Sequence, residues 1–267
     1  MNNIGFIGAG NMARAIIGGI LKSNLIDKSK IIASAKSKNT IDRVSKDLGI
    51  QTTMDSKEVI KNSDIIVIAV KPNVYDQVLS EVNNVINDKK IIITIAAGKS
   101  IESVERIIGD DKKIVRTMPN TPALVGEGMT ALCPNKNISN DELEMVKLIF
   151  NSFGKSEVVS ENLIDAVIGA SGSSPAYTFM FIEAIADGAV IGGMPRDKAY
   201  KFAAQAVLGA AKMVLETNMH PGELKDMVCS PGGTTIEAVR VLEEEKMRGA
   251  VIKGVCACID KSREMSK

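Results

Sequence analysis

A chain of 267 residues with 33 basic and 32 acidic side chains and a net charge of +1 offers no electrostatic footprint for DNA or RNA. The length exceeds the roughly 100–200 residues of a single core, so two domains are expected; 45% apolar and 24% charged residues indicate a chain that buries a core and is not disordered. No apolar run approaches the roughly 20 residues of a membrane span, since Asp64 and Lys71 bracket the short run 65–70.

Taken in order, residues 4–7, 30–33, 65–70, 91–95, 113–117 and 129–133 form short apolar runs that read as strands buried on both faces, as in a parallel sheet. Between them, residues 12–22, 40–48, 75–86 and 141–153 have helical spacing and suit crossover helices. This predicts an α/β, doubly wound domain over residues 1–160. The last strand signal is Glu157-Val158-Val159, and residues 163–267 are helical in pattern, interrupted by Pro175, Pro195, Pro221 and Pro231, each expected in a first helical turn. A second, all-α domain over residues 161–267 is therefore predicted. Its small-residue pairs, such as Gly188-Ala189 and Ala203-Ala204, allow close helix approach. Helices apolar on more than one face need more partners than this segment supplies, so part of that surface is expected to be covered by another subunit.

Cys133, Cys229, Cys256 and Cys258 lack disulfide-framework spacing, and the chain opens on a strand without a leader, so a reducing cytoplasm is expected. Cys256-x-Cys258 beside a single histidine reads as two small helix residues, and no metal is expected.

The first strand runs into Gly8-Ala9-Gly10-Asn11-Met12-Ala13, the strand, glycine loop and helix context of a dinucleotide cradle, where helix amides meet a pyrophosphate. A carboxylate that would bind ribose hydroxyls is expected about 20 residues later; the chain instead has Ala33-Ser34-Ala35-Lys36-Ser37-Lys38. Ser34 and Lys36 would attract a 2′-phosphate, favouring NADPH, with NADH possible; the alternative is a solvated turn. The run 65–70 ends in Ala69-Val70-Lys71-Pro72, at the carboxyl edge where open α/β sheets bind ligands. Lys71 is read there either as a cofactor neighbour or as a solvent-facing strand end. Ala96-Ala97-Gly98 and Met118-Pro119-Asn120-Thr121-Pro122 belong to the same edge and outline a nicotinamide pocket.

A second glycine loop, Ser230-Pro231-Gly232-Gly233-Thr234-Thr235, opens a helix whose first amides and dipole would stabilise a small carboxylate. On the local pattern alone its residues read first as an ordinary capped helix start. A dehydrogenase acting on a carbonyl needs an acid or base, usually His or Lys. The single histidine, His220, precedes Pro221 as a capping residue would, and lysine is absent between Lys155 and Lys198. Reduction of a protonated carbon–nitrogen double bond is less demanding, because hydride delivery itself removes the positive charge; proximity and orientation then suffice.

These residues resemble the pyrroline-5-carboxylate reductase family over essentially the whole chain. The generic carrier is the first glycine loop; Ser171-Gly172-Ser173-Ser174-Pro175-Ala176-Tyr177 and His220-Pro221-Gly222-Glu223-Leu224-Lys225, leading into Ser230 to Thr235, are the specific ones. The resemblance implies NADPH or NADH as donor, an imine carboxylate substrate reduced to L-proline, and a helical domain that interlocks with a partner in dimers or dimer-based assemblies. It implies that Ser230, Gly233, Thr234 and Thr235 hold the substrate, with the Thr235 hydroxyl at the ring nitrogen as the catalytic candidate. It places Glu161 near the substrate, and Asn120 and the Ala96-Ala97-Gly98 loop beside the nicotinamide. Ser174 departs from a common glycine, and Ala35 and Ser56 depart at positions that often contact the adenosine half. Alternatives are a reductase of a related cyclic imine acid and a catalytically weak NAD(P)-binding sensor.

Overall fold

The structure, a computed structural model, describes residues 3–265. It has strands β1 (Ile4–Ile7), β2 (Ile31–Ser34), β3 (Gln51–Thr53), β4 (Ile65–Ile68), β5 (Ile91–Thr94), β6 (Lys113–Met118), β7 (Gly128–Pro134) and β8 (Gly154–Val158). Its helices are α1 (Asn11–Lys22), α2 (Lys38–Leu48), α3 (Ser56–Lys61), α4 (Pro72–Val82), α5 (Ile101–Ile108), α6 (Asn140–Asn151), α7 (Ile164–Val167), α8 (Ser174–Ile191), α9 (Arg196–Thr217), α10 (Pro221–Val228), α11 (Thr234–Glu244) and α12 (Met247–Met265).

The eight strands form one sheet in the order β3-β2-β1-β4-β5-β6-β7-β8. Strand order reverses between β1 and β4, the switch point at which such sheets bind ligands. Every residue of β1, β2, β4 and β5 is buried, and alternate residues serve opposite faces. Ile4, Phe6, Ile65, Val67, Ile91 and Ile93 join Ile16, Ile17, Ile20 and Phe150 of α1 and α6. Ile7, Ile66, Ile68 and Ile92 join Val59, Tyr75, Leu79 and Val104 of α3, α4 and α5.

Three details correct the reading from sequence. Strand β7 is antiparallel to β6, not parallel, because the link between them is a 3₁₀ segment, Thr121–Val125, too short for a crossover helix. The run 65–70 leaves the sheet after Ile68, so Ala69 and Val70 belong to the ligand edge. Pro175 and Pro221 lie in first helical turns, but Pro195 is the residue before α9 and Pro231 sits in the turn before α11.

The chain divides into two compact units, Met1–Gly172 with Ile259–Lys267, and Ser173–Cys258. Residues 161–172 belong to the first because Ile164 buries against Met118, Ala131 and Cys133. Burial pushes the Cys133 thiol up to about 11, the nearby Arg116 opposing it. The end of α12 belongs there too, its Ser262 Oγ bonding Asp165 Oδ1 at 2.6 Å.

In the second unit, α8 and α9 pair through the small residues Ala186, Ala199 and Ala203. Their outer faces carry exposed Phe179, Met180, Ile191, Phe202 and Leu215, the last 78% exposed. Among the described residues no helix is long and apolar enough to cross a membrane, and no group of three or more His, Cys, Asp or Glu is gathered as for a metal.

Candidate active site

At the carboxyl edge of the sheet, β1 ends and the chain turns through Gly8 (φ +99°) into α1. The Gly8 amide donates to Ser34 O at 2.9 Å while the Ala69 amide donates to Ile7 O at 2.8 Å. Gly8 is thus wedged between the exits of β2 and β4, where a Cβ would stand 2.6 Å from the Ala69 oxygen. Helix α1 begins at Gly10 with no side-chain cap, so its first amides are available to an anion.

A cleft of about 710 Å³ opens beside this turn, lined by Gly10, Asn11, Met12, Lys36, Ala69, Val70, Lys71, Pro72, Ala96 and Ala97, with Val74, Val78, Ile95 and Pro119. The first ten of these were all expected from sequence. Of the last four, Pro119 belongs to the run expected at this edge, and Val74, Val78 and Ile95 were not expected; Val74 and Val78 stand one helical turn apart on α4, a spacing that could have revealed them. Lys71, the residue before α4, stands at the cleft wall.

Five expected residues are elsewhere. Gly8 and Ala9 shape the turn without lining the cleft, Ala9 being buried. Ser34 is buried, its hydroxyl 3.0 Å from Ser56 Oγ, so Lys36 alone of that pair faces the cleft. Gly98 lies beyond the lining, one residue past Ala97. Asn120 is buried: its Nδ2 donates to Ser171 O and Oγ at 3.2 Å and its Oδ1 accepts from Met129 N at 2.9 Å. It staples β7 to the π-helical turn Ile168–Gly172, and Pro119 lines the cleft instead.

Glu161 Oε1 accepts two bonds, from the Ile101 amide and from Arg116 Nη1, each 2.8 Å. Arg116 is buried, and its Nε has no partner among the described residues.

In the second unit, Gly232 (φ +67°) closes a turn in which the Gly233 amide donates to Ser230 O at 3.0 Å. Helix α11 then starts at Thr234 behind an extended Gly233, with no side-chain cap. By contrast, α10 is capped by His220, whose Nδ1 accepts from Gly222 N at 3.0 Å, as expected for that histidine. Neither hydroxyl of Ser230 to Thr235 caps α11, whose N-cap is Gly233; α1, α2, α4, α8 and α9 likewise start without a side-chain cap. Ser174 begins α8 and is not among the positive-φ residues, so the backbone there does not demand glycine. Cys258 Sγ donates to Ser173 Oγ at 3.2 Å, and the Tyr177 phenol is held above its ordinary value by its bond with Cys258 and by burial.

A family model described as "Pyrroline-5-carboxylate reductase dimerisation" matches residues 161–265, and one described as "NADP oxidoreductase coenzyme F420-dependent" matches residues 3–98. The pyrroline-5-carboxylate reductase of Escherichia coli (strain K12) is 52% identical over 99% of this chain and 98% of that relative. The chain belongs to the pyrroline-5-carboxylate reductase family. The Methanosarcina acetivorans member is 44% identical over the same shares. Among solved structures, that of the Coxiella burnetii reductase has a TM-score of 0.94 at 36% identity, covering 100% of this chain and 99% of that one. The Plasmodium falciparum enzyme, solved with NADP bound, has a TM-score of 0.90 at 33% identity, covering 100% of this chain and 98% of the other. The family's fold, a dinucleotide-binding parallel sheet with helices followed by a helical region, is the fold described above.

Proposed function

We propose that the chain reduces 1-pyrroline-5-carboxylate to L-proline with NADPH as hydride donor, the closing step of proline synthesis. Full-length identity to reductases of that name carries the reading. Residues 1–160 act as the dinucleotide-binding domain, and residues 161–267 as the helical substrate and dimerisation domain. The cleft at the switch point suits a dinucleotide in size and lining, and Gly8 accounts for the close backbone turn beside it. There Gly10, Asn11 and Met12 would meet the pyrophosphate, Lys36 a 2′-phosphate, and Ala96 and Ala97 the nicotinamide end. Bound in that cleft, NADPH supplies the hydride.

The work left to side chains is holding the imine. The first amides of α11, with Ser230 and Thr235, suit the substrate carboxylate, and the Thr235 hydroxyl suits the ring nitrogen. A protonated imine needs no general acid for hydride acceptance, which makes orientation the main contribution. Self-association follows from the apolar faces of α8, α9 and α12, exposed in a single chain, and from the match to a dimerisation family. All four cysteines are free thiols, which supports a reducing cytoplasm.

The test is a turnover assay of the purified protein with the five-membered and the six-membered cyclic imine acids, each with NADPH and NADH. The expected result is steady oxidation of the cofactor with a higher specificity constant for the five-membered ring and for NADPH. Absence of turnover, or preference for the larger ring, refutes the assignment.

A further inference from the structure

The turn that follows β5 carries Ala96 and Ala97 into the cleft wall and then enters α5. It is fastened at two points beyond its own backbone. Lys99 Nζ reaches Asp76 of α4 at 2.7 Å. The Ile101 amide, first of α5, donates to Glu161 Oε1 at 2.8 Å. Ser100 Oγ accepts from the Ser103 amide, so the cap residue serves a different amide, and the Ile101 amide depends on Glu161. The carboxylate is itself fixed by the Arg116 guanidinium, whose side chain is 8% exposed and rises from β6 next to β5 in the sheet. A carboxylate at a helix N-terminus is also favoured by the dipole.

We propose that Glu161 is a positioning residue for the cofactor, not a ligand of the substrate: held by Arg116, it fixes the Ile101 amide and so the Ala96-Ala97-Gly98 turn against which the nicotinamide end lies. The inference rests on the assignment of the switch-point cleft to the dinucleotide. It assigns Glu161 and Arg116 a part in aligning the donor carbon, where displacements of about 1 Å are costly. The family resemblance implies a place for Glu161 near the substrate; both observed bonds of its Oε1 go to Ile101 at the start of α5 and to Arg116 of β6.

Three variants of the full chain, Glu161→Ala, Glu161→Gln and Arg116→Lys, are compared with wild type by NADPH titration without substrate and by steady-state kinetics. For Glu161→Ala the NADPH Kd is expected to rise and kcat to fall, each by about tenfold, while the KM of the imine acid stays within about twofold. Glu161→Gln keeps an acceptor for Ile101 but not the charge for Arg116, and is expected to fall between wild type and Ala. If Ala does not fold, Gln and the Arg116→Lys variant carry the same comparison. A raised imine KM with unchanged NADPH Kd would identify Glu161 as a substrate ligand and overturn the proposal. So would wild-type NADPH affinity and kcat in all three. Failure of wild type itself to bind NADPH would instead remove the cleft assignment on which the proposal stands.

Discussion

Substituting alanine for Gly8 tests the construction of the cofactor turn directly. The new Cβ would lie 2.6 Å from the Ala69 oxygen and 2.8 Å from its carbonyl carbon, backbone atoms that the Ala69 to Ile7 hydrogen bond holds in place. The positive φ adds roughly 1–2 kcal/mol for an L-residue, and overpacking against fixed atoms adds about 1–3 kcal/mol. Reduced freedom of the unfolded chain returns only about 0.4–1 kcal/mol. A net loss of about 1–5 kcal/mol is expected, together with loss of NADPH binding. Gly10→Ala is the matched control: its Cβ would meet nothing within 4 Å, and φ is −75°. Its stability should stay within about 1 kcal/mol of wild type, while cofactor affinity falls because Gly10 lines the cleft. Urea midpoints and NADPH titrations on both variants decide the matter. Gly8→Ala within about 0.5 kcal/mol of wild type, the range of an inconsequential surface change, would refute the reasoning.

Other outcomes are expected. Thr235→Ala should lower kcat/KM for the imine acid by on the order of tenfold or more while leaving NADPH Kd unchanged, since it removes one hydroxyl contact at the substrate end; equal loss of cofactor affinity would count against the placement. Ile252→Glu, in the apolar groove with Leu242, Met247 and Val251, should shift the protein toward monomer in light scattering, as a charge within a covered face is strongly unfavourable. Burial disfavours the Glu142 carboxylate, but Lys113 and Ser139 outweigh it and hold the group below the ordinary range. Its contribution is therefore complete above the usual carboxylate pKa and is lost as pH falls through the lower folded value. Glu142→Gln should flatten the acid limb of stability, and Ser139→Ala should cost about 1 kcal/mol as the cap of α6 is lost. Cys133, buried and with its thiol pushed up by that burial, should resist a thiol reagent while the protein is folded, whereas exposed Cys256 reacts first.

The strands were legible where they are buried on both faces, because continuous Ile and Val runs leave no other reading. Strand β3, Gln51–Thr53, was missed because it is a short, largely polar edge whose pairing with β2 is its main support. The antiparallel turn of β7 was hidden for a different reason: direction is set by the connecting segment, and the 3₁₀ link carries no pattern that distinguishes it from a loop. The same limit applies to the site. Residues presented by backbone position, such as Gly10 or Ala97, could be placed on the cleft from strand ends alone. Ser34 and Asn120 could not, since a polar side chain at the right edge can turn inward, and these two bond to Ser56 and to Ser171 and Met129. Residue type announces capacity for a hydrogen bond; packing decides who receives it.

The same reasoning applies to the second glycine loop, whose residue types suit a helix cap and an anion loop alike. Ser, Thr, Pro and Gly before a helix are the residues of an ordinary cap, and side-chain caps are made at α5, α6 and α10, where Ser100, Ser139 and His220 each accept a first-turn amide, but not at α1, α2, α4, α8 or α9. At α11 the residues are present but the cap is not made. A glycine N-cap such as Gly233 costs only a few tenths of a kcal/mol relative to a hydroxyl cap, so the fold gives up little at this helix start. The omission becomes useful if a carboxylate completes the turn, because then the free energy of capping is released on substrate binding instead of on folding. The prediction on Thr235 reads the same balance from the ligand side: its hydroxyl is not needed to hold the helix, so its removal should be felt by the substrate and not by the fold.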